Sequence, residues 1–290
     1  MRRLKNLKII DNIAELKKEV ALLNGPIGLV PTMGALHNGH KSLIDKSVSQ
    51  NKNTIVSIFV NPIQFGANED LDKYPRQLEL DAKLCEKAGV NIIFAPKASE
   101  MYGDDKNNLT LICPPYEVVD KLCGKSRPGH FDGDCSVVAK LFNLTKATRA
   151  YFGQKDAQQL FIIQKMVKDL NFDIEIISCP IVRETDNLAL SSRNKYLTEN
   201  ERRIALNISK ALYEAQKLAK TNTATKRAIV DNSLSLMSEL DVEYIEFVDK
   251  NTFIEQDEID KNTLVLVAAR TPETKTRLID NMLLWENSLV

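Results

Sequence analysis

Long apolar runs are missing from this 290-residue chain, so no segment is expected to reach the roughly 18 to 20 residues that span a bilayer. An excess of either charge is missing too. Lys plus Arg and Asp plus Glu stand at 39 each, and the basic pairs Lys17-Lys18 and Arg202-Arg203 are short, so no global positive field would gather nucleic acid. The five cysteines are odd in number and contain no CxxC pair, which argues against a zinc or redox motif and fits reduced thiols in a cytoplasmic chain. The basic start MRRLKNLKIIDNIAELKK does not read as a secretion leader, because Lys8 and Asp11 break its apolar stretch. There is no internal repeat and no low-complexity segment.

What remains is average soluble composition, 43% hydrophobic and 27% charged, in a chain longer than the usual single domain of roughly 100 to 200 residues. Its first part alternates extended and helical patterns, as the βαβ units of a parallel sheet require. A helix is expected over 11–23, capped by Asp11, with Ile13, Leu16, Val20 and Leu23 on one face. Strands follow at Ile27–Val30, Thr54–Val60, Val90–Phe94, Arg149–Phe152 and Ile174–Ser178, with helices near 39–50, 76–88, 134–146 and 156–169 between them. Cys179-Pro180 ends that run. Beyond it Thr198 and Glu201 form a capping box for a long helix with Ile204, Ile208, Leu212, Ala215 and Leu218 on one face. A helix over 224–238 and strands at 242–248, 263–268 and 277–279 complete the chain. The expected architecture is therefore α/β: a Rossmann-like parallel-sheet domain over 1–182 and a smaller C-terminal α+β domain over 183–290.

The segment GLVPTMGALHNGH puts Gly34, Gly39, His37 and His40 between an apolar strand and a helix, where α/β proteins bind ligands beyond the carboxyl ends of their strands. Glycines admit a phosphate close to the backbone, and free N–H groups with the positive helix end favour an anion. His37 and His40, one helical turn apart, would face the same way and could donate to an α-phosphate as pyrophosphate leaves. A metal is disfavoured there, since the pair alone supplies too few ligands.

At PTMGALHNGH the chain resembles the pantothenate synthetases within the wider group of HxGH nucleotidyltransferases. Four more segments carry the likeness: FVNPIQFGANEDLDKYPR (59–76), GKSRPGHFDG (124–133), YFGQKDAQQL (151–160) and LALSSRNKYL (188–197). The resemblance implies a Rossmann-like domain with a C-terminal lid, a homodimer, and a reaction in which pantoate and ATP give pantoyl adenylate before β-alanine displaces AMP. It implies an ATP site of Met33, Gly34, Ala35, Leu36, His37, Asn38, Gly39 and His40, with Gly153, Gln154, Lys155, Asp156, Val182, Leu190, Ser191, Ser192 and Arg193. His37, His40, Lys155, Ser191, Ser192 and Arg193 would do the chemistry on the phosphates. Gln64 and Gln159 would bind pantoate, with Asn61 and Arg127 added to that set, and Gln64 would also meet β-alanine. Neutral amides suit hydroxyl and carboxylate oxygens.

Other readings stay open at single positions. Asn61 could cap the strand before Pro62, Asp156 could approach a ribose or cap its helix, and His130 reads as pinning a loop. Mg2+ is implied by the ATP chemistry, and Asp81 is the carboxylate considered for it, although Leu80 stands where an acidic neighbour would have strengthened the assignment. The rival functions are another HxGH transferase, such as a nicotinamide mononucleotide adenylyltransferase or an aminoacyl-tRNA synthetase core, and a non-catalytic nucleotide-binding protein.

Overall fold

A computed structural model describes residues 7–66, 69, 71–105, 108–221 and 225–285. Positions 67, 68 and 70 of the 59–76 segment, and residue 224 at the expected start of a helix, lie outside the described residues. By contacts the chain divides into two compact units, Met1–Gln154 with Ile162–Pro180 and Lys155–Phe161 with Ile181–Val290. The segment Lys155–Phe161 clusters with the second unit for visible reasons. Asn281 Nδ2 donates to the Lys155 carbonyl at 2.9 Å, and the Phe161 ring stacks on Phe253 at 4.9 Å.

In the first unit the described strands are β1 (Lys8–Ile10), β2 (Ile27–Thr32), β3 (Asn53–Ile58), β4 (Ile92–Phe94), β5 (Arg149–Gly153) and β6 (Glu175–Cys179). They form one parallel sheet in the order β1-β4-β3-β2-β5-β6. From β2 the chain winds outward to β3 and β4, then returns to the other side of β2 as β5 and β6. The carboxyl ends of β2 and β5 are thus the point where the winding reverses, the place where open α/β sheets leave a crevice for ligands. Pro31 does not end β2 as expected, because β5 pairs only with Gly28 and Leu29 and the proline falls beyond that ladder.

The helices are α1 (Ile13–Leu22), α2 (Asn38–Gln50), α3 (Leu78–Ala88), the short α4 (Ala98–Tyr102), α5 (Tyr116–Val119) and α6 (Leu122–Ser126), then α7 (His130–Thr145) and α8 (Ala157–Asp169). Two expectations shift. The cap of α1 is Asn12 rather than Asp11, since the Asn12 side chain accepts from the Glu15 N–H at 2.8 Å. Helix α7 starts at His130, four residues before the expected 134, which brings Gly133 into its first turn. The apolar strands and one face of α2 and α3 bury a core that includes Val30, Ile44, Val56, Cys85, Ile93 and Tyr151. Burial pushes the Cys85 thiol up to about 12, helped by the Asp81 carboxylate, so it is an inert core filler.

The second unit packs α9 (Glu199–Ala219) and α10 (Lys226–Leu236) with the antiparallel sheet β7-β8-β9 (Asp241–Asp249, Thr263–Arg270, Arg277–Leu283). The Thr198–Glu201 capping box starts α9. Ile204, Ile208, Leu212 and Ala215 bury its apolar stripe against Phe247, Val265, Val267 and Met282.

Candidate active site

The loop between β2 and α2 is held open by a turn that only part of its sequence favours. Gly34 sits at φ +85 and Ala35 at φ +50, two consecutive residues in left-handed backbone. A side chain at Gly34 would press on Ile58 and Asp81, and Ala35 is held there at a cost of order 1 kcal/mol or more. Asp81, buried on α3, offsets that cost. Its carboxylate accepts from the Ala35 N–H at 2.9 Å and the Leu36 N–H at 2.8 Å, while Gly34 N–H donates to Thr32 Oγ1 at 3.2 Å. The expectation of free amides in this loop is therefore corrected at Gly34, Ala35 and Leu36, whose N–H groups already have protein acceptors. Asp81 is not facing an open cation site either: both oxygens receive N–H donors, with Gln77 Nε2 adding a third at 3.3 Å. Among the described residues no group of three His, Cys, Asp or Glu side chains could hold a metal ion.

His37 is the N-cap of α2, and its Nδ1 accepts from the Gly39 N–H at 3.1 Å. His40 Nδ1 in turn accepts from the His37 N–H at 3.4 Å, and the two rings lie 4.1 Å apart. A backbone amide can only donate, so both Nδ1 atoms are bare and the proton of each neutral ring sits on Nε2. The helix start thereby sets the tautomer of two imidazoles side by side. Two N–H donors at the positive end of a helix are the polarity an anion needs.

Across the same sheet, Asn61 and Gln64 bracket the 3-10 turn Pro62–Gln64 after β3. Asn61 does not cap that turn through its side chain. Its Nδ2 donates to Gln64 Oε1 at 2.9 Å and to the Gly133 carbonyl at 3.1 Å, and its Oδ1 accepts from the Tyr102 hydroxyl at 2.7 Å. A Cβ at Gly133 would collide with the Ile63 carbonyl and the Gln64 amide, so only glycine lets this turn seat on α7. Arg127 grips the Glu69 carboxylate through Nε and Nη2 at 2.5 and 2.6 Å, and its Nη1 meets His130 Nε2 at 2.9 Å. His130 Nδ1 then donates to the Gln64 carbonyl at 2.8 Å, so His130 pins the loop beneath Gln64 as expected. Burial raises the Glu69 pKa, but hydrogen bonding and charge from Arg127, with the Gly66 amide, outweigh it and hold the carboxyl below its ordinary value. Gly153 ends β5, and the Gln154 N–H continues the ladder to the Cys179 carbonyl at 2.8 Å.

The remaining expected residues belong to the second unit. Lys155 lines a small depression with Ser191, Ser209, Leu278 and Asp280, and its Nζ lies 3.7 Å from Asp156. Asp156 immediately precedes α8, and its carbonyl accepts from the Leu160 N–H at 2.9 Å while half of its side chain stays exposed. Gln159 is half-buried on the first turn of α8. Val182 accepts from the Leu190 N–H at 3.0 Å, closing a hairpin-like loop that leads to Ser191. Ser191 caps a 3-10 turn, Ser192–Tyr196, by accepting from the Arg193 N–H at 3.3 Å. Its hydroxyl proton is left to serve another acceptor.

Several contributors escape a motif search. Asp280 receives Arg183 Nη1 and Nη2 at 2.6 and 3.0 Å, and Asn281 holds Lys155. The one signal for them is an acid and an amide in the interior of an otherwise apolar strand. Glu69 and Gly133 fall within the 59–76 and 124–133 segments without a role there, and Tyr102 leaves no local trace.

The family model for pantoate-beta-alanine ligase matches residues 8–283. The chain belongs to the pantoate-beta-alanine ligase family. A curated pantothenate synthetase of Clostridium novyi is 51% identical over 260 residues, 89% of this chain and 90% of that protein. The pantothenate synthetase of Acetivibrio thermocellus is 48% identical over 283 residues, covering 96% and 99%. Among solved structures, the Thermus thermophilus pantothenate synthetase superposes with TM-score 0.89 at 38% identity, over 96% of this chain and all of that one. A Francisella tularensis pantoate-beta-alanine ligase, described as complexed with beta-gamma ATP and beta-alanine, gives TM-score 0.81 at 37% identity, over 97% and 99%. These ligases match through both units rather than over the nucleotide loop alone, which decides against the rival transferases and against a non-catalytic relative.

Proposed function

We propose that this ligase joins (R)-pantoate to β-alanine in two steps. The pantoate carboxylate attacks the α-phosphorus of ATP, the bond to the bridging oxygen breaks, and pyrophosphate leaves with that electron pair. The β-alanine amine then attacks the acyl carbon of pantoyl adenylate, AMP departs, and the nitrogen loses a proton as the amide of pantothenate forms. The observation that carries the reading is the pair of imidazoles His37 and His40, each held with Nδ1 on a backbone amide and Nε2 as the donor. Such donors stabilise charge that grows as pyrophosphate leaves, and alignment supplies much of the remaining rate.

In this reading Met33–His40, Gly153, Gln154, Lys155, Asp156, Val182, Leu190, Ser191, Ser192 and Arg193 serve ATP, since a cation, hydroxyls and a guanidinium suit phosphate oxygens. Gln64 and Gln159 bind pantoate, and Gln64 also meets β-alanine. Asn61 and Arg127 support Gln64 rather than touching the acid, because their side chains are engaged with Gln64, Gly133, Glu69 and His130. Mg2+ enters as part of the substrate MgATP. Among the residues assigned to ATP only Asp156 is a carboxylate, so the ion is held mainly by the phosphate oxygens.

The family resemblance further supports a cytoplasmic homodimer, and no described helix is long and apolar enough to cross a membrane. Sedimentation equilibrium tests the dimer. The deciding assay for function is pyrophosphate exchange into ATP with pantoate as the added acid and β-alanine withheld. Exchange that depends on pantoate is expected; exchange with another acid, or none, overturns the proposal.

A further inference from the structure

The direction in which Gln64 points is decided by residues that no substrate need touch. The Gly133 carbonyl can only accept, so the Asn61 atom 3.1 Å from it is Nδ2, and Asn61 Oδ1 faces Tyr102. The Tyr102 hydroxyl donates to that oxygen at 2.7 Å. The second hydrogen of Asn61 Nδ2 goes to Gln64 Oε1 at 2.9 Å, which turns the oxygen of Gln64 into the protein and its Nε2 outward. Outward lies Met33 Sδ at 3.5 Å, a thioether and a poor acceptor for a buried amide. All three side chains are buried: Tyr102 is 8% exposed, Asn61 1% and Gln64 6%. A buried amide with its N–H groups against sulfur is poised to gain a better acceptor, and a carboxylate or hydroxyl oxygen is one.

We propose that Tyr102 is a positioning residue for the acid substrate: through Asn61 it fixes Gln64 as a donor, so that the site recognises an oxygen acceptor and rejects a donor at that point. This deepens, and rests on, the reading of Gln64 as a pantoate contact. Tyr102 is suited to the task because it remains a phenol and therefore a donor. Its burial raises the hydroxyl pKa and the nearby Asp134 carboxylate raises it further. Its ring, 6.0 Å from that of Phe59, gives the substitution Tyr102→Phe a packing surface to retain.

Steady-state kinetics on Tyr102→Phe, Gln64→Ala and Gln64→Glu test the proposal in the full-length enzyme, with thermal melting to check folding. Tyr102→Phe is expected to raise KM for pantoate about tenfold, the effect of one buried hydrogen bond, and to leave KM for ATP unchanged. A purely structural tyrosine would lower the melting temperature without that selective change. Gln64→Glu, which sets an acceptor where the structure sets a donor, is expected to bind pantoate more weakly than Gln64→Ala. That comparison keeps Tyr102 intact and so stands even if Tyr102→Phe fails to fold. If Gln64→Ala raises KM for pantoate but folded Tyr102→Phe stays within about twofold of the unsubstituted enzyme, the positioning role is overturned and the Gln64 reading survives. If Gln64→Glu binds pantoate as well as Gln64→Ala, the donor orientation is overturned. If Gln64→Ala changes nothing, the Gln64 reading falls and the proposal with it.

Discussion

Asp280 and Asn281, neighbours on β9, hold two separate segments of the second unit: Asp280 takes both Nη atoms of Arg183, and Asn281 donates to the backbone of Lys155. One dipeptide thereby anchors the hairpin that carries Val182 and leads to Ser191, and the residue expected to supply the cationic contact to ATP. Arg183 is nearly buried, with 13% of its side chain exposed, and Asp280 has 3%. Removing one member of such a pair strands the other.

Asp280→Ala is therefore expected to lower unfolding free energy by about 3 to 5 kcal/mol, measured by urea denaturation. The double substitution Arg183→Met with Asp280→Leu should recover most of that loss, since apolar packing can replace a buried ion pair. Asn281→Ala should cost far less stability and instead raise KM for ATP. An Asp280→Ala protein as stable as the unsubstituted chain would show that the pair contributes nothing.

The two nitrogens of His40 have separable jobs, and amide substitutions divide them. Asparagine places an acceptor near Nδ1 and nothing near Nε2; glutamine reaches the Nε2 position and abandons the cap. His40→Asn is expected to keep the melting temperature and lose roughly 10² to 10³ of the pantoate-dependent exchange rate, the usual effect of deleting one such donor. His40→Gln should retain more activity on a less stable helix start. Equal exchange rates in the two variants would remove the distinction between capping and donating.

Asp81 offers a contest between two roles. As the bracket for Ala35 and Leu36, its replacement by Asn puts N–H against N–H in a buried place, and about 1 to 3 kcal/mol of stability should go with it. KM for MgATP should rise by a factor that does not change with Mg2+ concentration. Rescue by excess Mg2+ would instead identify Asp81 as a metal ligand.

The parts of this protein that can be read along the chain are those whose physics is local. Ile27–Val30 and Thr54–Val60 announce buried parallel strands by apolar runs between breakers, and Thr198 with Glu201 announces the start of α9. Where two adjacent residues offer the same chemistry, as Asp11 and Asn12 do, local logic cannot choose the cap. Strand β1 escapes because three residues with only Ile10 buried carry no period. The site divides in the same way. His37 and His40 lie within one motif, whereas Ala35 meets Asp81 46 residues away, Asn61 meets Tyr102 across 41 and Gly133 across 72. Contacts of that range decide which way an amide faces, and they leave no periodicity in the sequence.

Glu201 gives the sharpest pH dependence. It is fully buried, its Oε1 accepts from the N–H groups of Glu273 and Thr274 at 3.0 and 2.7 Å, and its Oε2 accepts from Thr198 N–H at 3.2 Å. Burial alone would raise its pKa, but hydrogen bonds from Thr271, Thr274 and Thr198 win and hold it down to about 2, from an ordinary 4.5. A depressed carboxyl contributes stability that is fully present above 4.5, where both states are ionised, and is lost as pH falls toward 2, because the unfolded chain takes up the proton first. Glu201→Gln lacks that contribution. Its deficit relative to the unsubstituted protein should be largest near neutral pH and shrink between pH 4.5 and 2, read as the difference in urea midpoints across a pH series. A deficit that stays constant through that window would mean that the hydrogen bonds at Glu201 do not depend on its charge.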